Sequence, residues 1–255
     1  MLKIPTVDDW FALTQKFKEF QRASPTVLKD YGYMAVMDYI DQSPGQNILE
    51  FGHAFNPTVF VRYEKTRNVW GIDDWQPLAY FPFDRTVWTK QCEDQVQVLA
   101  PGCTYKRGLL GSDCKAELPE AFFDIICSVS VLEEVSIDVV RGILKHASRL
   151  LKPGGVLIGT HDLFIDAPGR VAEYMKAHSD AGLDLEEPSP QVNLSPQMLL
   201  ENPSCVMLYY QHHEGENRKF WGHWGTMWTV ARKPVNSDEN QKNEEKIPAI
   251  LRRLL

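Results

Sequence analysis

The chain has 255 residues, 44% of them hydrophobic and 24% charged, and its 27 Lys and Arg against 34 Asp and Glu leave a formal charge of −7. That describes an ordinary globular chain of one large domain, able to bury a substantial core without disulfide or metal staples. The acidic balance gives no electrostatic footprint for nucleic acid, and no window approaches the roughly 20 apolar residues of a membrane span.

The stretch Met1-Leu2-Lys3-Ile4-Pro5 lacks the apolar core of a secretory signal. Five cysteines (92, 103, 114, 127 and 205) include no Cys-x-x-Cys and are odd in number. Reduced thiols in a cytoplasmic protein, with no metal site, are the expectation.

Trp10, Leu13, Phe17 and Phe20 recur at helical spacing, and Ser24-Pro25 opens a second segment with Val27, Tyr31, Met34 and Met37 on one side. Residues 1–45 therefore read as a helical extension of two amphipathic helices, either packed on the core or capping a cleft. From residue 46 short apolar runs alternate with helical stretches. Asn47 to Phe51 is a strand, Pro57 to Thr66 the helix after it, and Asn68 to Ile72 the next strand. Cys103 to Lys106 is a weaker strand and Phe122 to Ser128 a strong one. A helix over Ile137 to Leu151 follows, apolar at 139, 140, 143, 144, 147, 150 and 151; Lys152-Pro153-Gly154-Gly155 stops it before the strand Val156 to Thr160.

Strands near-continuously apolar and alternating with helices predict an α/β fold with a doubly wound, mostly parallel sheet. Cys205 to Tyr210 and Thr226 to Ala231 close it as a hairpin-like pair, with an antiparallel last strand. Their link, His212 to Gly225, holds Trp221, Trp224, His213 and His223, which either wall a substrate or pack as a turn. Residues 46–234 make the main domain and 235–255 a polar, flexible tail.

In such a sheet the ligand sits beyond the carboxyl ends of the strands. Four features converge there. The first is Glu50-Phe51-Gly52-His53-Ala54-Phe55-Asn56, an acidic strand end followed by a tight turn in which Gly52 permits close backbone approach. Asp73, followed by Asp74, ends the next strand. Asp113-Cys114 lies after the third. Ser128 leads into the exit Val129-Ser130-Val131-Leu132-Glu133-Glu134.

These residues resemble the class I S-adenosylmethionine-dependent methyltransferases over about residues 46 to 162. Ile48-Leu49-Glu50-Phe51-Gly52 looks like the family's first motif and Val69-Trp70-Gly71-Ile72-Asp73 its second. Asp113 to Pro119 with Phe123-Asp124-Ile125-Ile126 is similar to the adenine-holding stretch, and Ser130 to Val135 and Leu150 to Leu157 resemble the two that follow. The resemblance implies a seven-stranded Rossmann-like methyltransferase sheet and S-adenosylmethionine as cofactor.

By that resemblance Glu50 and Gly52 lie beside the methionine part. Asp73, or Asp74 by a one-residue slip, holds the ribose hydroxyls, and Asp113 meets the adenine amino group, with Cys114 and Ser128 alongside. Carboxylates suit a cationic sulfonium and hydroxyl or amino donors. Ala54 and Asn56 stand where the family usually alternates glycines; Asn tolerates left-handed backbone and Ala is small. His53 either lines the cofactor carboxylate, meets substrate or faces solvent.

Methyl transfer relies on positioning, and an oxygen nucleophile of high pKa gains from a general base. His161 and Asp162, directly after the fifth strand, are the candidates, with His161 alternatively a strand-end polar residue. No Asn-Pro-Pro-aromatic stretch is present. A small-molecule hydroxyl is the expected acceptor, without nucleic acid or membrane partners; carboxyl and amine acceptors, and a homodimer, stay open. The second reading is a cofactor-binding pseudoenzyme with a regulatory role.

Overall fold

Ile48, Leu49 and Phe51 in one apolar run, and Ile125, Ile126 and Cys127 in another, are all buried, so these strands bury side chains on both faces. That is the signature of a parallel sheet covered by helices on either side. The computed structural model describes residues 2–3, 5–20, 27–54, 56–74, 85–111, 114–164, 169–185, 207–214 and 217–235.

Along the chain come β1 (Leu2–Lys3), α1 (Val7–Lys16), α2 (Val27–Gln42), β2 (Asn47–Phe51), α3 (Thr58–Tyr63) and β3 (Asn68–Asp73). Next are α4 (Arg85–Leu99), β4 (Thr104–Arg107), β5 (Phe123–Val129), a single 3-10 turn (Leu132–Glu134) and α5 (Ile137–Leu150). Then follow β6 (Leu151–Phe164), α6 (Gly169–Asp180), β7 (Asp184–Leu185), β8 (Met207–Glu214) and β9 (Asn217–Arg232).

The sheet runs β1-β9-β6-β5-β2-β3-β4, with β7 and β8 also paired to β9. β2, β3, β4, β5 and β6 are parallel, and β9 is antiparallel to β6. The seven expected strands are therefore present, and two two-residue strands, β1 and β7, extend the sheet along β9. The expected link from His212 to Gly225 is itself mostly strand, because β8 and β9 pair down to Glu214 and Asn217. Side chains at 207–224 and the tail at 236–255 lie outside the described residues, so the Trp and His side chains of that hairpin have no described place.

Strand alternation sends Leu49, Phe51, Ile126 and Leu157 to one face, against α5 and α6, and Ile48, Ile125, Cys127 and Ile158 to the other, against α2 and α3. α5 shows why a helix forms there. Ser136 accepts from the Val139 N–H as its N-cap, and Val140, Ile143, Leu144, Ala147 and Leu150 make one buried stripe. The helix ends at Leu150, and the chain enters β6 at once; a register shift between Phe123 and Ile125 absorbs Lys152 to Gly155 as a bulge. A Cβ on Gly155 would meet the Lys152 carbonyl at 2.9 Å, which explains the glycine.

α2 departs most from expectation. Instead of one apolar side, it is buried from Asp30 through Met37 without a break. It lies so close to the sheet that a Cβ on Gly32 would stand 2.5 Å from Thr160 Oγ1 and 2.7 Å from Val129 Cγ1. Replacing Gly32 with Ala should therefore cost roughly 1–3 kcal/mol through overpacking, despite the better helix propensity of Ala. Urea unfolding of the variant against wild type checks this; equal midpoints would mean that α2 can withdraw freely.

Candidate active site

The chain runs from β2 out to β3 and β4, then returns to lay β5 on the other side of β2 and β6 beyond it. The reversal makes the carboxyl ends of β2 and β5 the switch point of the sheet, the place where ligands of open α/β sheets bind. Glu50, Asp73, Ser130 and Asp162 belong to the carboxyl ends or exits of four neighbouring strands, so backbone topology alone collects them at one rim.

The exit of β2 is built around Gly52, whose φ is +68°. Its N–H still donates to the Ile72 carbonyl at 3.0 Å, and a Cβ there would come within 2.5 Å of Val131 Cγ2. Gly52 thus lets the turn after β2 touch the exit of β5. Ala54 also takes a left-handed φ of 50°, and its N–H donates to Asp73 Oδ2 at 2.7 Å. This bond ties the ends of β2 and β3 together. Asn56 accepts from the N–H and hydroxyl of Thr58 at 3.0 and 2.6 Å, so the residue standing in place of a glycine starts α3.

Glu50 is 1% exposed, and its Oε2 has no hydrogen-bond partner among the described residues. Burial, reinforced by Asp73, raises its carboxyl well above the ordinary range. His53 is 1% exposed. Its ring is buried edge-on to Phe60 at 4.7 Å, and a Cβ on Gly71 would lie 3.0 Å from its Nε2. Burial pulls it down to about 3, so the imidazole is neutral and packs between α3 and β3.

On the other side of the rim, Ser130, with φ of 54°, donates from Oγ to Asp162 Oδ1 at 3.4 Å. Burial pushes the Asp162 carboxyl up to about 6, against the opposing pull of Lys29 on α2 and of the Ser130 hydroxyl. Both carboxylate oxygens of Glu133 are closed to solvent, and no side chain among the described residues bonds them. Its carboxyl is raised by burial first and by Asp162 second, with the backbone N–H groups of Glu133 and Asp162 opposing. Glu134 is exposed, and partial desolvation still raises it, with Asp162 and Asp73 adding and Lys29 opposing. One lysine thus faces several carboxyl groups.

The remaining expected residues divide. Ser128 is buried with Oγ against Gly159, inside the sheet rather than at its rim. The exit of β5 lies two residues later, at Ser130. Cys114 is half-buried, with its thiol 3.8 Å from the Ala116 carbonyl, and packs at the edge of the core under α5. Asp74 is half-buried just beyond β3, and Asp113 lies outside the described residues.

His161 does not share the rim with Asp162. Successive strand residues point to opposite faces, and its ring is 2% exposed, 5.7 Å from Tyr174 on α6, with Nε2 at 3.1 Å from Thr229 Oγ1. The expectation of a base at His161 is corrected to a core histidine, pulled down to about 3 by burial and by His178. Lys29, Ser130 and Glu133 were missed as individuals. The exit Ser130 to Glu134 was visible, but the burial that singles out Glu133 was not.

His161 titrates near 6.5 when unfolded and about 3 when folded, so below about pH 6.5 the unfolded chain binds the extra proton and stability falls with pH. His161→Gln should flatten the decline in melting temperature between about pH 6.5 and 5 while sparing S-adenosylhomocysteine affinity. An unchanged slope would remove the linkage, and lost affinity would return His161 to the site.

A cationic amino acid and two ribose hydroxyls need acceptors. The buried, unpartnered Glu50 oxygen and the Asp73 carboxylate supply them, so the residues present fit S-adenosylmethionine. A family model described as a methyltransferase domain matches residues 58–159. The match begins beyond the Gly52 turn. Among curated proteins no sequence matches the chain.

The fold is that of a TehB-like S-adenosylmethionine-dependent methyltransferase from Corynebacterium glutamicum, at 17% identity over 89% of this chain and 98% of that one, with a TM-score of 0.50. The CurJ carbon methyltransferase is similar at 13% identity over 88% of this chain and 57% of that one, also with a TM-score of 0.50. Residues 58–159 match a methyltransferase domain, and the strand order agrees with the fold of S-adenosylmethionine-dependent methyltransferases.

Proposed function

We propose that the chain methylates a hydroxyl of a small molecule, with Asp162 as general base. The observation that carries this reading is the Asp162 carboxyl, half-buried at the rim, bonded to Ser130 and raised to about 6. A base is most effective when its pKa lies near the working pH, and an ordinary aspartate near 3.9 is too weak for a hydroxyl proton. In this reading Glu50 and Gly52 flank the methionine part of the cofactor, and Asp73, with Asp74 beside it, holds the ribose.

Asp73 already accepts one bond from Ala54, but a carboxylate has about four acceptor sites, which leaves room for hydroxyl donors. Bound S-adenosylmethionine supplies a methyl group made electrophilic by its sulfonium. The chain's part is to orient the acceptor oxygen and to take its proton on Asp162.

The test is a screen of small hydroxylated molecules that reads S-adenosylhomocysteine release and locates the new methyl group. Asp162→Asn should lower turnover by about 10²–10⁴-fold and spare S-adenosylhomocysteine affinity. Because the base must be ionised, the wild-type rate should climb as pH rises through about 6 and level above it. Methylation at carbon, nitrogen or sulfur alone, or a full rate in the variant, would overturn the assignment. Cofactor binding without turnover on any acceptor would favour the pseudoenzyme.

Asp73→Ala should weaken S-adenosylhomocysteine by at least ~10-fold in calorimetry, the equivalent of one charge-assisted hydrogen bond. Unchanged affinity would move the ribose role to Asp74.

A further inference from the structure

We propose that Arg170 and Tyr174 of α6 are positioning residues that hold the Leu132–Glu134 turn by its carbonyl groups and so set Glu133 beside Asp162. The inference rests on reading this rim as the methyl-transfer site. A one-turn helix leaves its carbonyls without intrahelical partners. Here those groups are bonded from a distant element. Arg170 Nη2 donates to the Glu133 carbonyl at 3.2 Å and to the Val135 carbonyl, while its Nε donates to Tyr174 Oη at 2.9 Å. Tyr174, 1% exposed, donates its hydroxyl to the Leu132 carbonyl at 3.1 Å. Three carbonyls of four consecutive residues are thus gripped by one guanidinium and the phenol beneath it.

The chemistry of the grip fits its load. A planar guanidinium keeps a fixed fork, and a cation suits the carbonyl end of a helical turn. The load is Glu133, whose carboxylate is closed to solvent and bonded by no side chain among the described residues, with only the backbone N–H groups of Glu133 and Asp162 acting on it. A carboxyl so placed would swing into water if its backbone could turn. Fixing the three carbonyls removes that freedom. The charged and titratable groups around it are Asp162 from β6, Glu134 from the turn, Lys29 from α2, Asp73 from β3, and Arg170, Glu173 and Tyr174 from α6. None of the cationic ones bonds Glu133 through its side chain among the described residues.

The test is a carboxyl-carbon NMR titration of the full chain as wild type, Arg170→Met, Arg170→Lys and Tyr174→Phe, with melting temperatures alongside. In wild type Glu133 should titrate well above the ordinary range. In Arg170→Met it should fall toward about 4.3, the value of a solvated glutamate, and Arg170→Lys should lie between. A folded Arg170→Met with wild-type Glu133 titration, whatever its melting temperature, would overturn the proposal and leave Arg170 a stabilising contact only.

If that variant does not fold, Tyr174→Phe, which loses the Leu132 bond and the hydroxyl under Arg170, decides on the same reading. Calorimetry of wild type with S-adenosylmethionine and S-adenosylhomocysteine runs alongside. Wild type that binds neither compound would defeat the methyl-transfer reading, while the titration would still judge the grip.

Discussion

The contact between Gly52 and Val131 governs the rim. It brings the turn after β2 against the exit of β5 at the point where the sheet reverses direction, and there is no space for a Cβ. A side chain at position 52 would push the two exits apart and carry Glu50 away from Ser130 and Asp162. The left-handed φ of Gly52 reinforces this, because any other L-residue would meet both the Val131 methyl groups and an unfavourable backbone. Glycine thus stands where the fold itself needs it.

The two altered positions in the same turn are explained by local bonding. Ala54 stays in left-handed backbone at a cost of about 1–2 kcal/mol, and a charge-assisted bond from its N–H to Asp73 offsets that cost. Asn56 does work that glycine cannot, accepting from both donors of Thr58 as α3 begins. The turn has exchanged backbone freedom for side-chain bonds and keeps its course.

Much of this was legible in the chain. The apolar runs at 48–51, 69–72 and 123–128 and the helical period from 139 to 151 fixed the sheet and one of its covering helices, because burial on both faces leaves a plain pattern. The carboxyls at strand ends were legible for the same reason. What was not legible is the direction of a side chain at the last residues of a strand. His161 and Asp162 are neighbours in sequence, and alternation sends one into the core against Tyr174 and the other to the rim. Likewise Ser128 and Ser130 share a side of the strand, but only the second lies past its end. α4, α6 and the near-complete burial of α2 also escaped, since mixed polar residues within them mask the period that tertiary packing overrides.

The rim carries an electrostatic cost that its scaffold must bear. Glu50, Glu133 and Asp162 all have carboxyl groups raised by burial, so each disfavours the folded state when it ionises, and Lys29 acts against Glu134 and Asp162 together. A fold optimised for stability alone would place these groups in water. Instead the close approach of α2 at Gly32 brings Lys29 over one side, and α6 grips the turn that carries Glu133 on the other. A cation at the rim would relieve the repulsion that both arrangements contain. In the methyl-transfer reading proposed above, a sulfonium at this rim would favour the ionised form of these carboxyls, which is the sense in which the buried carboxyls and the cofactor suit each other.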